Sequence, residues 1–175
     1  MKQHSGMRPH DIVVLLKIIS KGNTPWRHQD LSNELYISQS EISESLHRSQ
    51  LAGLIDVDKK KVYRQSLLDF IEYGLRYVYP VKPGSMVNGI YTAHSHPFMQ
   101  QQFKSEVNYV WPSERGPVRG LSIEPLYKDV VKAAISDEKL YKMLALIDIM
   151  RVGRTRELKI AIGELHKMII NEPQR

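Results

Sequence analysis

The chain has no cysteine among its 175 residues, which excludes disulfide staples and thiolate chemistry and fits a reducing compartment. No apolar run approaches the roughly 18 residues of a membrane span, and the opening MKQHSGMRPHD has no basic-then-apolar leader pattern. A cytoplasmic protein without membrane contact is expected. Walker-type phosphate loops, nucleophile elbows and paired-acid motifs are missing, and Gly84 and Gly89 are poorly placed for a dinucleotide fingerprint. His94 and His96, in Thr-Ala-His-Ser-His-Pro, lack the third and fourth ligands that zinc requires. A structural or hydrogen-bonding role is expected for both, and no catalytic residue, cofactor or metal is expected.

What is present is organised around Arg27 to Ile55, RHQDLSNELYISQSEISESLHRSQLAGLI. Leu31 and Leu35 are four apart, and Ile42 and Leu46 repeat that spacing after an interruption at Ile37-Ser38. The pattern predicts two short amphipathic helices joined by a tight turn. Ser38 followed by Glu41 predicts a capping box, with each side chain bonded to the other residue's backbone N–H. Upstream, Ile12, Val13, Leu15, Leu16, Ile18 and Ile19 predict a first helix, with Pro9 in its first turn and Gly22-Asn23 at its end. Downstream, Leu54, Ile55 and Val57 approach Asp58-Lys59-Lys60-Lys61, and Val62-Tyr63 lead away, the pattern of a small β-hairpin. A further helix is expected from Ser66, capped with Asp69, to Tyr79.

These elements resemble the winged-helix regulators of bacteria, in particular the MarR-like type. The resemblance is carried by Leu31-Ser32, Leu35-Tyr36-Ile37-Ser38, Ile42, Leu46 and Gly53-Leu54-Ile55. It covers roughly the first 80 residues. The family usually has alanine where Ser32 stands, glycine where Tyr36 stands, and leucine where Ser49 stands. The resemblance implies a sequence-specific DNA-binding regulator, a repressor acting as a homodimer.

The residue types agree with that implication. On the second helix of the pair, Ile42, Leu46 and Ser49 mark the inward face. Ser40, Ser43, Glu44 and His47 lie opposite, with Ser38 and Gln39 at the start and Arg48 on the flank, all types that read base edges. Glu41 and Glu44 offset Arg48, so phosphate attraction is expected from Lys59, Lys60, Lys61 and Arg64 on the hairpin. Arg27 and His28 at the preceding helix start add to it. A lysine-rich turn can equally be a solvated hairpin tip.

The formal charge of +6 is uneven: twelve Lys and Arg face nine Asp and Glu through Lys82, three face three from Pro83 to Pro125, and ten face seven thereafter. The neutral middle, Pro80 to Pro125, holds six of the nine prolines and four of the ten glycines. It shows no periodicity, yet Phe98, Phe103, Tyr109, Val110 and Trp111 argue against disorder. An ordered, irregular strap is expected, with a short strand near Val107 to Val110. Beyond it, three helices are expected: Leu126 to Ala134, one capped by Asp137 and ending before Gly153, and Leu158 to Ile169. Arg151, Arg154, Arg156 and Lys159 cluster at the Gly153 junction. Ordinary surface charge is the first expectation there; an acidic-partner surface, a second DNA backbone contact and a nucleotide-phosphate site are the others. Middle and tail are similar to uncharacterised bacterial winged-helix proteins with a Pro/Gly-rich stretch and an Arg-Gly-Arg junction.

The expected fold is therefore mainly α (α+β): a winged helix-turn-helix at 1–80, a strap at 81–125, and a helical segment at 126–175 for dimerisation or partner binding. The expected partner is double-stranded DNA. One alternative is an antitoxin-like interaction module whose middle and tail bind a partner protein. Another is an enzyme using His94 and His96.

Overall fold

Nine residues of helix α1 (Pro9–Lys21), Asp11 through Ile19, are buried. So continuous a burial makes α1 a central helix covered on all sides. Pro9 occupies its first turn, and Gly22, at φ 58°, ends it in a conformation that L side chains avoid. The computed structural model describes residues 6–171. Residues 1–5, which begin the stretch read above for a leader, and residues 172–175 lie outside the described residues.

Helices α2 (His28–Leu35) and α3 (Gln39–Leu51) follow, joined through Tyr36, Ile37 and Ser38. Tyr36 keeps the left-handed conformation that such a turn demands, at φ 58° and ψ 38°, although a bulky residue there costs about 1 kcal/mol or more. The expected hairpin is reduced to one bridge between Ile55 and Val62. Its tip explains why. The Asp56 carboxylate takes the backbone N–H groups of Lys60 (2.7 Å) and Lys61 (2.9 Å), so the chain turns around a side chain before a ladder can form. Lys59, at φ 56°, supplies the reversal that Asn-Gly would normally make. The next helix begins earlier than expected, at Arg64, so Ser66 lies inside it, and Asp69 accepts from Gln65 instead of capping. It divides at Gly74 into α4 (Arg64–Tyr73) and α5 (Leu75–Val78).

The middle departs most from expectation. Strand β1 (Met86–Tyr91) pairs antiparallel with both β2 (Tyr109–Pro112) and β3 (Val118–Ser122), and β2 and β3 pair with each other in parallel. Only β2 falls near the expected strand. Glycines conceal the others: a Cβ at Gly89 would collide with the Trp111 backbone, and one at Gly120 would lie 2.6 Å from the Asn108 oxygen. The close approach that closes the sheet thus removes the alternation by which strands are read. Between β1 and β2 lie a 3-10 turn (Ala93–Ser95) and the one-turn helix α6 (Pro97–Gln100).

The tail forms α7 (Val130–Ile135), shorter than expected, then α8 (Glu138–Val152) and α9 (Thr155–Ile169). Asp137 caps α8 as expected, accepting from the Leu140 N–H at 2.9 Å. Lys17 of α1 donates to that same Asp137 (2.7 Å) and lies 2.9 Å from Glu34 of α2, which fastens α8 onto the first two helices. Leu140 and Met143 through Arg151 are buried, so most of the apolar surface that appeared surplus in sequence is used within the chain, Ile135 of α7 remaining exposed. One hydrophobic core runs from Ile12 to Ile169 through all three segments. The fold is a mixed α/β one, mainly helical, with a small three-stranded sheet. Among the described residues, no helix is long and apolar enough to cross a membrane.

Candidate nucleic-acid interface

Helix α3 has two sharply different sides. Ile42, Ser45, Leu46 and Ser49 are buried, while Gln39, Ser40, Ser43, Glu44 and His47 are exposed, which is the division that the spacing predicts. Ser38 is exposed and accepts the Glu41 N–H at 3.2 Å. The capping box is only half made, however, because the Glu41 carboxylate turns away from Ser38 toward α1.

That turn corrects the reading of Arg48. Its side chain is buried and points inward: Nε and Nη2 donate to the two carboxylate oxygens of Asp11 at 2.8 and 2.7 Å, and Nη2 also donates to Glu41 at 2.6 Å. The His10 ring donates to the same Glu41 oxygen at 2.8 Å. Its hydrogen bonds to the Asp11 carboxylate raise the Arg48 pKa further, so it is a fixed positive charge. Burial disfavours the charged form of Glu41, but Arg48 and His10 outweigh it and hold that carboxyl below its usual range. Arg48 is therefore not presented on the exposed face. His10, Asp11 and Glu41 lie close enough to hold a metal ion, but the Arg48 guanidinium already supplies the cation between the two acids. An aspartate directly before the apolar run Ile12 to Ile19 was the available signal, since a buried acid needs a buried cation.

The basic groups converge elsewhere. Lys60 Nζ sits 4.1 Å from the Trp26 ring centroid and donates to the Trp26 carbonyl at 3.2 Å. This ties the lysine loop to the start of α2, where Arg27 is exposed and His28 half-buried. Two basic features read separately in sequence thus form one patch. Lys61 is exposed and Lys59 half-buried, flanking the engaged Lys60. Arg64 lines the adjoining cleft of about 260 Å³ with Gly22, Trp26, Lys60 and Lys61. Its own guanidinium is turned to the end of α9, donating to the Ile169 carbonyl at 2.7 Å, and so works as a fastener. Trp26, which holds the patch together, was not singled out in sequence; its place just before a helix start was the only hint.

The remaining candidates separate. Arg151 is buried, donating to the Tyr79 carbonyl, the Glu124 carbonyl and Asp148, each at 3.0 Å. Arg154, Arg156 and Lys159 are exposed, and the Arg154 N–H donates to Glu157 at 3.0 Å, a helix start of ordinary kind. Both histidines of the middle are buried. The His94 ring bonds the Val107 carbonyl at 2.9 Å, and His96 Nδ1 accepts from the Phe98 N–H at 3.2 Å. Burial, with Lys142 nearby, pushes the His96 pKa down to about 4. The chain matches no family model, no curated protein and no solved structure.

Proposed function

We propose that the protein is a sequence-specific, double-stranded-DNA-binding transcriptional regulator, and that α1 to α4 with the Ile55–Val62 bridge are a winged helix-turn-helix of MarR-like type. The observation that carries this reading is the Lys60–Trp26 contact, which sets a basic loop against the start of α2, the partner of a helix whose outer face is polar and exposed. In this reading Gln39, Ser40, Ser43, Glu44 and His47 face base edges in the major groove, and Arg27, His28, Lys59 and Lys61 hold phosphates. Bound over a promoter as a homodimer, the protein represses by occupancy. No catalytic step is part of the proposal, and the setting is the bacterial cytoplasm.

Most of the tail's apolar side chains are packed within the chain, with Ile135 the exposed exception at 68%, so the dimer contact is assigned to exposed Tyr73 and Tyr77 of α4 and α5, 70% and 77% exposed, with Val78. Replacing both tyrosines with serine is expected to yield monomers in sedimentation. The same tyrosines favour a second reading, an antitoxin-like module that binds a partner polypeptide there. A stoichiometric second chain in the natively purified protein would support it.

Selection of bound duplexes from a random pool tests the main proposal. A palindromic consensus, with half-sites about 34 Å apart, is expected; no enrichment would overturn it. Replacing Lys59 and Lys61 with alanine should weaken all duplexes alike and lower the slope of log affinity against log salt by about 3.6, two phosphates in each protomer of the dimer. Changing Gln39 and His47 should alter base preference instead.

A further inference from the structure

Tyr36 is the least economical residue of the turn between α2 and α3. It holds a left-handed backbone that favours glycine, and its side chain is 52% exposed. So large a side chain in that conformation is not explained by packing. What it meets is the tail. The Lys132 Nζ of α7 lies 5.5 Å from the Tyr36 ring centroid. Five residues before Lys132, Tyr127 donates its hydroxyl to the Leu35 carbonyl at 2.7 Å, fixing α7 to the end of α2. Lys132 itself is 65% exposed, and its carboxylate neighbour, Asp129, is 3.5 Å away. Its charge therefore faces solvent beside the first residues of α3.

We propose that Lys132, held over Tyr36, is a second phosphate contact of the DNA-binding surface, contributed by the C-terminal segment. This rests on the DNA-binding reading above and adds a contact to it. The geometry is that of two positive points at opposite ends of one helix. The Lys60–Trp26 patch stands at the start of α2 and Lys132 at its end. An eight-residue helix is about 12 Å long, comparable with the roughly 12 Å width of the major groove. Helix α3 begins three residues beyond Tyr36, so Lys132 can reach the phosphates next to its first turn while the Lys60–Trp26 patch holds the backbone at the far end of α2. Tyr127 is the positioning residue, since its hydroxyl sets where α7 sits on the turn.

The test is the full chain titrated with a selected duplex and with a random duplex, between 50 and 200 mM salt. Lys132→Ala should weaken both duplexes by a similar factor, about three- to tenfold per contact, and lower the salt slope by about 1.8, one phosphate in each protomer; Lys132→Arg should restore both. Asp129→Asn frees Lys132 from its carboxylate and should tighten binding. Tyr36→Gly should leave the melting temperature unchanged or higher while weakening both duplexes, a combination that a merely structural tyrosine would not give. If Lys132→Ala leaves the slope intact while Lys61→Ala lowers it, the tail contact is wrong and the DNA reading stands. If the wild-type chain retains no duplex, both fall.

Discussion

Arg48 and Arg151 are both buried helix arginines joined to a buried aspartate, yet they are built into the molecule in different ways. The acceptors of Arg48 are carboxylates: Asp11 on α1 and Glu41 on its own helix. It bolts α3 to α1 with a nearly closed set of charges. Two of the acceptors of Arg151 are backbone carbonyls, at Tyr79 and Glu124, where the chain enters and leaves the sheet. Its partner Asp148 is itself shared, accepting from the Thr92 hydroxyl and the Trp111 indole N–H at 2.7 Å each. The first arrangement is a pair; the second is a hub that gathers the ends of the helical units and the sheet between them. Tyr79 stands between the two. Its carbonyl serves Arg151, while burial, with Asp11 adding to it, pushes its phenol up to about 12.

The difference predicts how each arrangement breaks. Asp148→Ala leaves the buried Arg151 without its carboxylate and should destabilise by about 3–5 kcal/mol. Asp11→Ala leaves Arg48 with Glu41 and should cost less, both measured from urea midpoints. Removing both partners should separate them. In the Asp11→Leu, Arg48→Met double variant no buried charge remains unpaired. Glu41 keeps His10 and solvent, and the chief loss is the bond from the Arg8 N–H to Asp11 at the start of α1. Stability should return to within about 1 kcal/mol of wild type, the usual worth of such a cap. In the Asp148→Leu, Arg151→Met variant the Thr92 and Trp111 donors lose their acceptor, so the double should stay at least as unstable as either single. Equal recovery in both doubles would remove the distinction between pair and hub.

The same two arginines mark what the sequence could reveal. Periodicity located α1, α3, α8 and α9, because a helix that buries one face repeats its apolar residues whatever it packs against. It also divided α3 into inner and outer faces, with Arg48 as the exception. A charged residue on a helix flank reads as exposed unless its partner is known, and Asp11 lies 37 residues away. Arg151 was grouped with Arg154 and Arg156 by proximity in sequence, although only Arg151 turns inward. The sheet was hidden for another reason. Its strands are short, and Gly89 and Gly120 stand where backbones nearly touch, so the positions most constrained by the fold carry no side chain to read. The Lys60–Trp26 and Lys132–Tyr36 contacts belong with Arg48: each joins residues from separate elements, and neither has a local signature.

A smaller effect sharpens the comparison through pH. Glu41, beside Arg48, titrates below its ordinary 4.5 in the folded chain. Its share of stability is therefore present above that value and is lost as pH falls through the lower folded one. Asp148 behaves oppositely. Burial raises its carboxyl above the ordinary 3.8, against the opposing pull of Arg151, Thr92 and Trp111, so the folded state accepts its proton first and this site gains relative stability on acidification. Glu41→Gln should accordingly flatten the loss of stability between pH 5 and 3. The change should be no more than about 0.5 kcal/mol, because a carboxylate partly open to solvent is screened. Asp148→Asn should steepen the same limb, since it removes a group that favours the folded state in acid. Unfolding midpoints at pH 5 and 3 for the three chains decide it: slopes that move the same way in both variants would mean that the two networks do not differ electrostatically, and that only their backbone connections set them apart.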